Sequence, residues 1–177
     1  MSGLQRSGLV LVLTSVAMAF PAVAEDETVA RDGRTVTFSD AVPRQGSGYD
    51  SPWHYAHAVR AGDFVHVSGI IIAADRDDEL PIDRKRFAER TGRVFERLEA
   101  VLATAGASVS DVVKINTFHV LDGRNTALSI DEQALVIAEV RAKYAGEPHS
   151  AWTAVGTTGL FSPRGIVEIE VVAYVPR

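Results

Sequence analysis

The clearest hydrophobic pattern in the chain lies between residues 83 and 105. Apolar positions recur there every three or four residues, and charged residues fill most of the positions between them. With 3.6 residues per turn, such positions share one face, so the spacing predicts an amphipathic helix from Pro81 or Asp83 to about Ala105. The predicted buried stripe consists of Phe87, Thr91, Val94, Leu98, Val101 and Leu102.

Shorter apolar segments on both sides of this helix are rich in Val, Ile, Phe and Thr, which is typical of strands. A second helix of about eighteen residues is predicted to end near Gly146. The resulting order, β-β-β-α-β-α-β-β, predicts an α+β fold in which two helices cover one face of a mixed sheet. The predicted strands are Thr35–Phe38, Tyr55–Arg60, Phe64–Ile72, Val112–Val120, Ala151–Gly156 and Ile166–Val175.

The last two of these strands are separated by a turn rich in Gly, Ser and Pro, so we expect them to pair as a hairpin that carries much of any active site. The segment Phe64–Ile72 is almost entirely apolar, which predicts burial on both faces. No helix remains to cover the second face of the sheet. The pattern therefore predicts that this face packs against other copies of the chain.

The N-terminus has the pattern of a secretory signal peptide over residues 1–24. Arg6 precedes the apolar run Leu9–Phe20, and a small-x-small motif ends at Ala24, after which we expect cleavage. The run is shorter than the roughly 20 residues that a membrane-spanning helix needs. The mature protein is therefore expected to be periplasmic or secreted and not to be bound to a membrane.

Length and composition limit the organisation and chemistry of the mature chain. The chain has 177 residues with 46% hydrophobic content, which suits one domain over 51–177 preceded by a polar, flexible arm over 25–50. Its net charge of −5 disfavours nucleic acid as a partner, because phosphate backbones are bound by clustered Lys and Arg. The absence of cysteine excludes disulfides, thiolate metal sites and cysteine nucleophiles. The five histidines form no His-x-His or His-x₃-His pair, so no metal site is expected.

Four stretches then carry a family resemblance. They are HYAHAVRAGDFVHVSGII, LEAVLATAGASVSDVVKINTF, GEPHSAWTAVG and IVEIEVVA. In order and spacing they resemble the RidA/YjgF family of imine and enamine deaminases. The resemblance implies a chorismate mutase-like fold and a homotrimer that binds a small-molecule ligand in clefts between subunits. It also implies hydrolysis of an imine or enamine to a keto acid and ammonia, without a metal or organic cofactor.

The resemblance implies that some functional residues of the family are retained in this chain and that one is replaced. The water-positioning glutamate of the family corresponds to Glu168, the predicted catalytic residue. Tyr55 and the pair Ser68-Gly69 match positions that bind substrate. The arginine that grips the substrate carboxylate is replaced by Trp152, whose indole offers one N–H donor and no charge. We therefore expect weaker carboxylate binding.

Several of these positions leave alternatives open. Trp152 is predicted either to close a subunit interface or to form a stacking wall for a flat ligand. Arg164 is either an exposed turn residue or, like Arg60, a replacement that binds the carboxylate from another direction. His57 stands where many family members have Gln, so it is a candidate polar contact to the ligand. Glu168 and Glu170 share one face of their strand, where a raised pKa would suit a general base.

These residues predict a RidA-like protein that hydrolyses an imine or enamine with weak or altered activity. The alternative from a different class is a non-catalytic ligand-binding or protein-interaction module on the same trimer. Hydrolysis of another carbonyl or ring substrate is a third hypothesis. Ribonuclease activity, which is known in the family, fits an acidic and exported chain less well.

Overall fold

The structure, a computed structural model, describes residues 26–42 and 53–176. The predicted signal peptide and its cleavage site lie outside these residues. The helices are α1, Arg84–Thr104, and α2, Ile130–Arg141, and a 3₁₀ turn covers Val109–Asp111. The strands are β1 Glu27–Arg31, β2 Arg34–Phe38, β3 Ala58–Ala61, β4 Phe64–Ala73, β5 Val112–Val120, β6 Ala151–Thr157 and β7 Gly165–Tyr174.

Helix α1 forms where the apolar spacing predicts it. Asp83 caps its N-terminus by accepting a hydrogen bond from the Arg86 amide, and all six residues of the predicted stripe are buried. Gly106 follows with a φ of +74°, a conformation that favours glycine and turns the chain toward β5. Neither α1 nor any other helix of the described residues is both long and apolar enough to span a bilayer.

Helix α2 has 12 residues, fewer than the roughly eighteen expected. It begins only after Ser129, which forms a reciprocal capping box with Glu132. The preceding chain is held outside the helix because Thr126 pairs with Ile82 in a β-bridge. Turns follow Arg141, so residues 142–145 do not extend the helix.

The strand order is β1-β2-β3-β4-β7-β5-β6. The sheet is mixed, because β5 and β6 are parallel and the other neighbours are antiparallel. The predicted hairpin of the last two strands is wrong, because β7 lies between β4 and β5 while β6 is an edge strand. The burial of the two strands gives the physical reason. Alternate residues of β7 from Val167 to Ala173 are fully buried in the centre, whereas most residues of β6, which is shorter and contains a glycine, are exposed.

The N-terminal arm is more ordered than the sequence suggests. Residues 27–38 form a hairpin whose turn, Asp32-Gly33, has positive φ at both residues, and β2 joins the sheet beside β3. Thr104 at the end of α1 donates to the Asp26 carboxylate at 2.7 Å, which ties the hairpin to the helix layer. The strand predicted over Thr35–Phe38 is confirmed, and the strand over Glu27–Arg31 was not predicted.

Both helices cover one face of the sheet, as predicted, and the core lies between the two layers. The other face, which we call the open face, is not covered by a helix of residues 26–42 and 53–176. Strand β4 alternates between buried residues such as Val65 and exposed ones such as Phe64, which is 44% exposed. Within one subunit this strand is therefore buried on one face, and the predicted burial of its other face depends on packing against another copy of the chain. The apolar side chains of β4 therefore point alternately into the core and onto the open face.

Candidate functional site

The site starts from an irregularity between β4 and β7. Val67 pairs with Val171 and Ile70 with Ile169, so Ser68 and Gly69 together lie opposite a single residue of β7. Such a β-bulge bends the strand and changes the direction of nearby side chains. The Ser68 hydroxyl donates to the Ala56 carbonyl at 2.7 Å, which fixes the bulge against the chain leading into β3.

The Glu168 side chain lies over this bulge. A Cβ placed on Gly69 would be 1.9 Å from Oε1 of Glu168 and 2.6 Å from its Cδ. Ile71 and Phe118 pair with Glu168 from the two neighbouring strands, so the carboxylate lies on the open face between two apolar side chains. Glycine at position 69 therefore makes the space that the carboxylate occupies.

The surroundings of Glu168 favour its neutral form. Partial burial raises the pKa of the Glu168 carboxyl, and the negative charge of Glu170 on the same face raises it further. Within the described part of the chain, no side chain or amide donates a hydrogen bond to this carboxylate. A carboxylate with a raised pKa is a better proton acceptor, which suits a general base.

Glu168 lies at the junction of two recesses on the open face. We call the first the Glu168 recess; its volume is about 620 Å³, within the usual range for small-ligand sites. It is lined by Trp53, Tyr55, Ser68, Gly69, Ile71, Phe161 and Glu168. The second, of about 540 Å³, shares Phe161 and Glu168 and extends toward Phe118 and Thr157. The structure thus brings together four predicted site residues, Tyr55, Ser68, Gly69 and Glu168.

Two aromatic residues of the recess were not predicted from the sequence. Trp53 is 65% exposed and Phe161 is 95% exposed, and their ring centroids are 5.9 Å apart with the planes at 67°. They come from loops more than a hundred residues apart, so no local pattern links them. The available signal was the occurrence of a large aromatic residue within an otherwise polar stretch.

His57 lies behind the recess. It is 3% exposed, and its Nδ1 accepts a hydrogen bond of 2.8 Å from the Ser39 amide. Its ring packs between those of Phe38 and Tyr55, at 6.4 and 6.2 Å between centroids. His57 therefore connects the N-terminal hairpin to Tyr55, and it does not line the Glu168 recess.

Trp152 lies on the opposite face of the sheet from Glu168. It pairs with Ile115 of β5 and packs against the core, and its Nε1 donates to the Thr117 hydroxyl at 2.9 Å. The same hydroxyl lies 2.9 Å from Nε2 of buried His119. Within its own subunit Trp152 is thus part of the helix-covered side, and it does not line the recess with Glu168.

Neither candidate arginine lines the recess. Arg164 donates to the main-chain carbonyls of Ala74 and Asp78, which fixes the turn before β7 to the loop after β4. Arg60 donates to the carbonyl of Val175 at 2.8 Å and to the carbonyls at the end of α1. Their geometry gives them roles in joining segments of the fold.

A further recess, of about 710 Å³, lies at the acidic loop after β4. Its carboxylates are engaged by arginines. Arg90, only 9% exposed, binds both oxygens of Asp78, and Arg90 and Arg93 contact Asp75. The hydrogen bond from Arg90 is the main cause of the lowered pKa of Asp78. This loop is a structural ion-pair cluster, which leaves the Glu168 recess as the candidate functional site.

Comparisons with known sequences identify the family of the chain. The sequence profile of the family described as Endoribonuclease L-PSP matches residues 49–175. The RutC family protein YjgH of Escherichia coli is 32% identical over 123 residues, which cover 70% of this chain and 84% of that protein.

Solved structures of the family share the fold. The crystal structure of Mycobacterium tuberculosis Rv2704, from the YjgF/YER057c/UK114 family, has 30% identity and a TM-score of 0.57, over 80% of this chain and 99% of that one. RidA from an Antarctic Psychrobacter species has 28% identity and a TM-score of 0.53, over 76% and 97%. The mixed sheet with two helices therefore belongs to a known architecture, and the chain is a member of the RidA/YjgF family.

Proposed function

We propose that this protein binds a small imine or enamine in the Glu168 recess and hydrolyses it slowly compared with family members that carry the carboxylate-binding arginine. The observation that carries the proposal is the Glu168 carboxylate, which lies over Gly69 with a raised pKa and without a hydrogen-bond donor from the described residues. Such a group is available to a water molecule in the recess.

The proposed reaction has two steps in which Glu168 moves one proton. Glu168 accepts a proton from water while the water oxygen forms a bond to the imine carbon, and the C=N π electrons move to nitrogen. The resulting carbinolamine then breaks its C–N bond. Glu168 returns the proton to the nitrogen, the hydroxyl proton of the carbinolamine passes to the same nitrogen as the C–N bond breaks, and the products are a carbonyl compound and ammonia or an amine.

The recess supports this chemistry more than cleavage of RNA. Its charged side chain is a carboxylate, and Glu170 adds a second negative charge on the same face. A phosphodiester would be repelled there, and the chain as a whole has a net charge of −5. The family description as an endoribonuclease is therefore not extended to this protein.

We also propose that the protein is a homotrimer whose open faces pack together. Phe64, Val155 and Tyr174 lie on that face and are 42 to 45% exposed, so packing between subunits would remove their apolar surface from water. Light scattering coupled to size-exclusion chromatography tests this proposal, and a mass of one subunit at micromolar concentration contradicts it.

The proposed export has its own test. Mass spectrometry of the protein recovered from a periplasmic fraction should give a chain that begins at Glu25. Retention of residues 1–24 in a cytoplasmic product would contradict both the export and the cleavage.

The hydrolase proposal is tested with imines generated in situ. An amino acid oxidase supplies carboxylate-bearing imines and an amine oxidase supplies imines without a carboxylate, and the carbonyl product is followed over time. The purified protein should accelerate product formation in at least one case, and Glu168→Gln should abolish the acceleration. The matched control is Leu135→Ala, at a position on α2 that is 54% exposed, and this variant should retain the acceleration. No acceleration with either oxidase would leave the non-catalytic binding module as the function.

A further inference from the structure

The Glu168 recess combines aromatic rings with a carboxylate. Trp53, Tyr55 and Phe161 are 65%, 38% and 95% exposed, although large aromatic side chains are usually buried. Trp53 and Phe161 meet edge to face at 67°, so they form two walls at an angle. His54, between Trp53 and Tyr55, has a φ of +49°, a conformation that is rare for a non-glycine residue. The backbone at this rim is therefore strained.

The charge of the recess is of one sign. Among its described lining residues there is no Lys, Arg or His, and the charged one is Glu168. The two candidate arginines and Lys114 are engaged elsewhere. Arg60 and Arg164 donate to main-chain carbonyls, and Lys114 on the open face donates to Thr153 of β6.

The negative charge of the recess disfavours a ligand with a carboxylate, which is the kind of ligand that the family resemblance implies. A ligand carboxylate would lie close to Glu168, and the described residues of the same subunit supply no cation to the recess that could pair with it. Like charges within a few ångströms repel strongly in a partly buried site. An ammonium or iminium group would instead pair with the carboxylate. It would also be attracted to the electron-rich faces of the surrounding rings.

We propose that the Glu168 recess binds organic cations, namely an ammonium or iminium nitrogen on an apolar body without a carboxylate. The cationic nitrogen lies against Glu168, and the apolar body lies between Trp53, Tyr55 and Phe161. The inference rests on the proposed function for the location of the site and narrows its substrate to iminium ions derived from simple amines. Their hydrolysis consumes one water and releases an aldehyde or ketone and the protonated amine, so the reaction that supplies them is amine oxidation or condensation of an amine with a carbonyl compound.

The test uses three probes of similar shape that cannot be hydrolysed at an imine. Phenethylammonium is cationic, 2-phenylethanol is neutral and 3-phenylpropionate is anionic. Titration of the purified protein, followed by calorimetry and by Trp fluorescence, should show phenethylammonium binding about tenfold more tightly than the alcohol. Phenylpropionate should bind more weakly than both.

Variants identify the site. Glu168→Gln should remove the preference for the cation while the alcohol still binds. Phe161→Leu keeps apolar contact but loses the aromatic ring, so it should reduce the cation preference several-fold; because Phe161 is 95% exposed, this variant is expected to fold. Leu135→Ala on the opposite side of the sheet should change nothing.

Three outcomes overturn the inference: anion affinity equal to or above that of the cation, a cation preference that survives Glu168→Gln, and no binding of any probe at millimolar concentration. Because no probe is hydrolysed, the result is independent of the hydrolase test. Cation binding without imine hydrolysis would support this inference and contradict the hydrolase proposal. Hydrolysis of carboxylate-bearing imines alone would support the hydrolase proposal and contradict this inference.

Discussion

The Glu168 carboxylate occupies the space that a side chain at position 69 would need, since a Cβ on Gly69 would lie 1.9 Å from its Oε1. The two residues come from adjacent strands, and the bulge at Ser68-Gly69 brings them into this contact. Glycine at this point therefore has a functional consequence beyond backbone freedom. It allows the carboxylate to lie on the floor of the recess.

Gly69→Ala should move the carboxylate and reduce binding and any hydrolysis at the recess to the level of Glu168→Gln. The clashing atoms belong to a flexible side chain, so the fold should survive. Activity and phenethylammonium titrations measure the effect. Gly92→Ala is the matched control because no atom lies within 4 Å of its added Cβ; it should leave the recess unchanged and stabilise α1 by about 1 kcal/mol. Full activity in Gly69→Ala would contradict the proposed role of the contact.

The raised pKa of Glu168 predicts how stability depends on pH. The folded protein disfavours the ionised carboxyl relative to the unfolded chain, so ionisation reduces stability above the pKa of the unfolded chain. Glu168→Gln should therefore have a higher urea midpoint than the unsubstituted protein at pH 7, and the difference should disappear as the pH falls below about 4, where the unfolded carboxyl is also protonated. Because Glu170 contributes to the shift, the gain should be smaller in a Glu170→Gln background. An equal midpoint at both pH values would contradict the assignment.

The substitution Trp152→Phe tests whether Trp152 contributes to the stability of the fold or to ligand binding. The substitution keeps a partly buried aromatic ring but removes the N–H that donates to Thr117, so we expect a loss of about 1 kcal/mol in the free energy of unfolding. Affinity for recess ligands should be unchanged, because Trp152 lies on the other face of its own sheet. A tenfold loss of affinity would instead mean that Trp152 reaches the ligand across a subunit interface, as one interpretation of the sequence predicts.

His119 should make the protein less stable in mild acid. Gln133 uses its Nε2 to donate to the Leu128 carbonyl, which leaves its Oε1 to accept from Nδ1 of His119 and makes Nε2 of the imidazole an acceptor for Thr117. Burial lowers the pKa of His119, so the unfolded chain binds the proton more readily. Stability should therefore fall as the pH drops below about 6.5.

Urea unfolding at pH 7.5 and 5.5 measures this effect. His119→Asn should be less stable than the unsubstituted protein at pH 7.5, because it leaves a cavity and weakens the network. It should lose less stability on acidification, because it has no imidazole to protonate. An equal loss in both proteins would assign the acid sensitivity to other groups.

Local patterns were enough to predict the parts of the fold that depend on neighbouring residues. The stripe from Phe87 to Leu102 and the Asp83 cap follow from helical spacing and the chemistry of one turn. The alternation of Glu168 and Glu170 with buried Ile169 follows from the two-residue period of a strand. The family resemblance added Tyr55, Ser68 and Gly69, which the structure brings together with Glu168.

The pairing of strands and the composition of the recess were decided only by tertiary structure. A two-residue period determines which side chains share a face, but hydrogen bonds between strands determine which strand lies alongside. For that reason β7 could enter the centre between β4 and β5 and leave β6 at the edge. This arrangement turns Trp152 away from Glu168, and it brings Trp53 and Phe161 to the recess from distant loops. The sequence determined that a carboxylate lies on one face of its strand and that Trp152 replaces the family arginine, whereas packing decided that aromatic rings from distant loops surround that carboxylate.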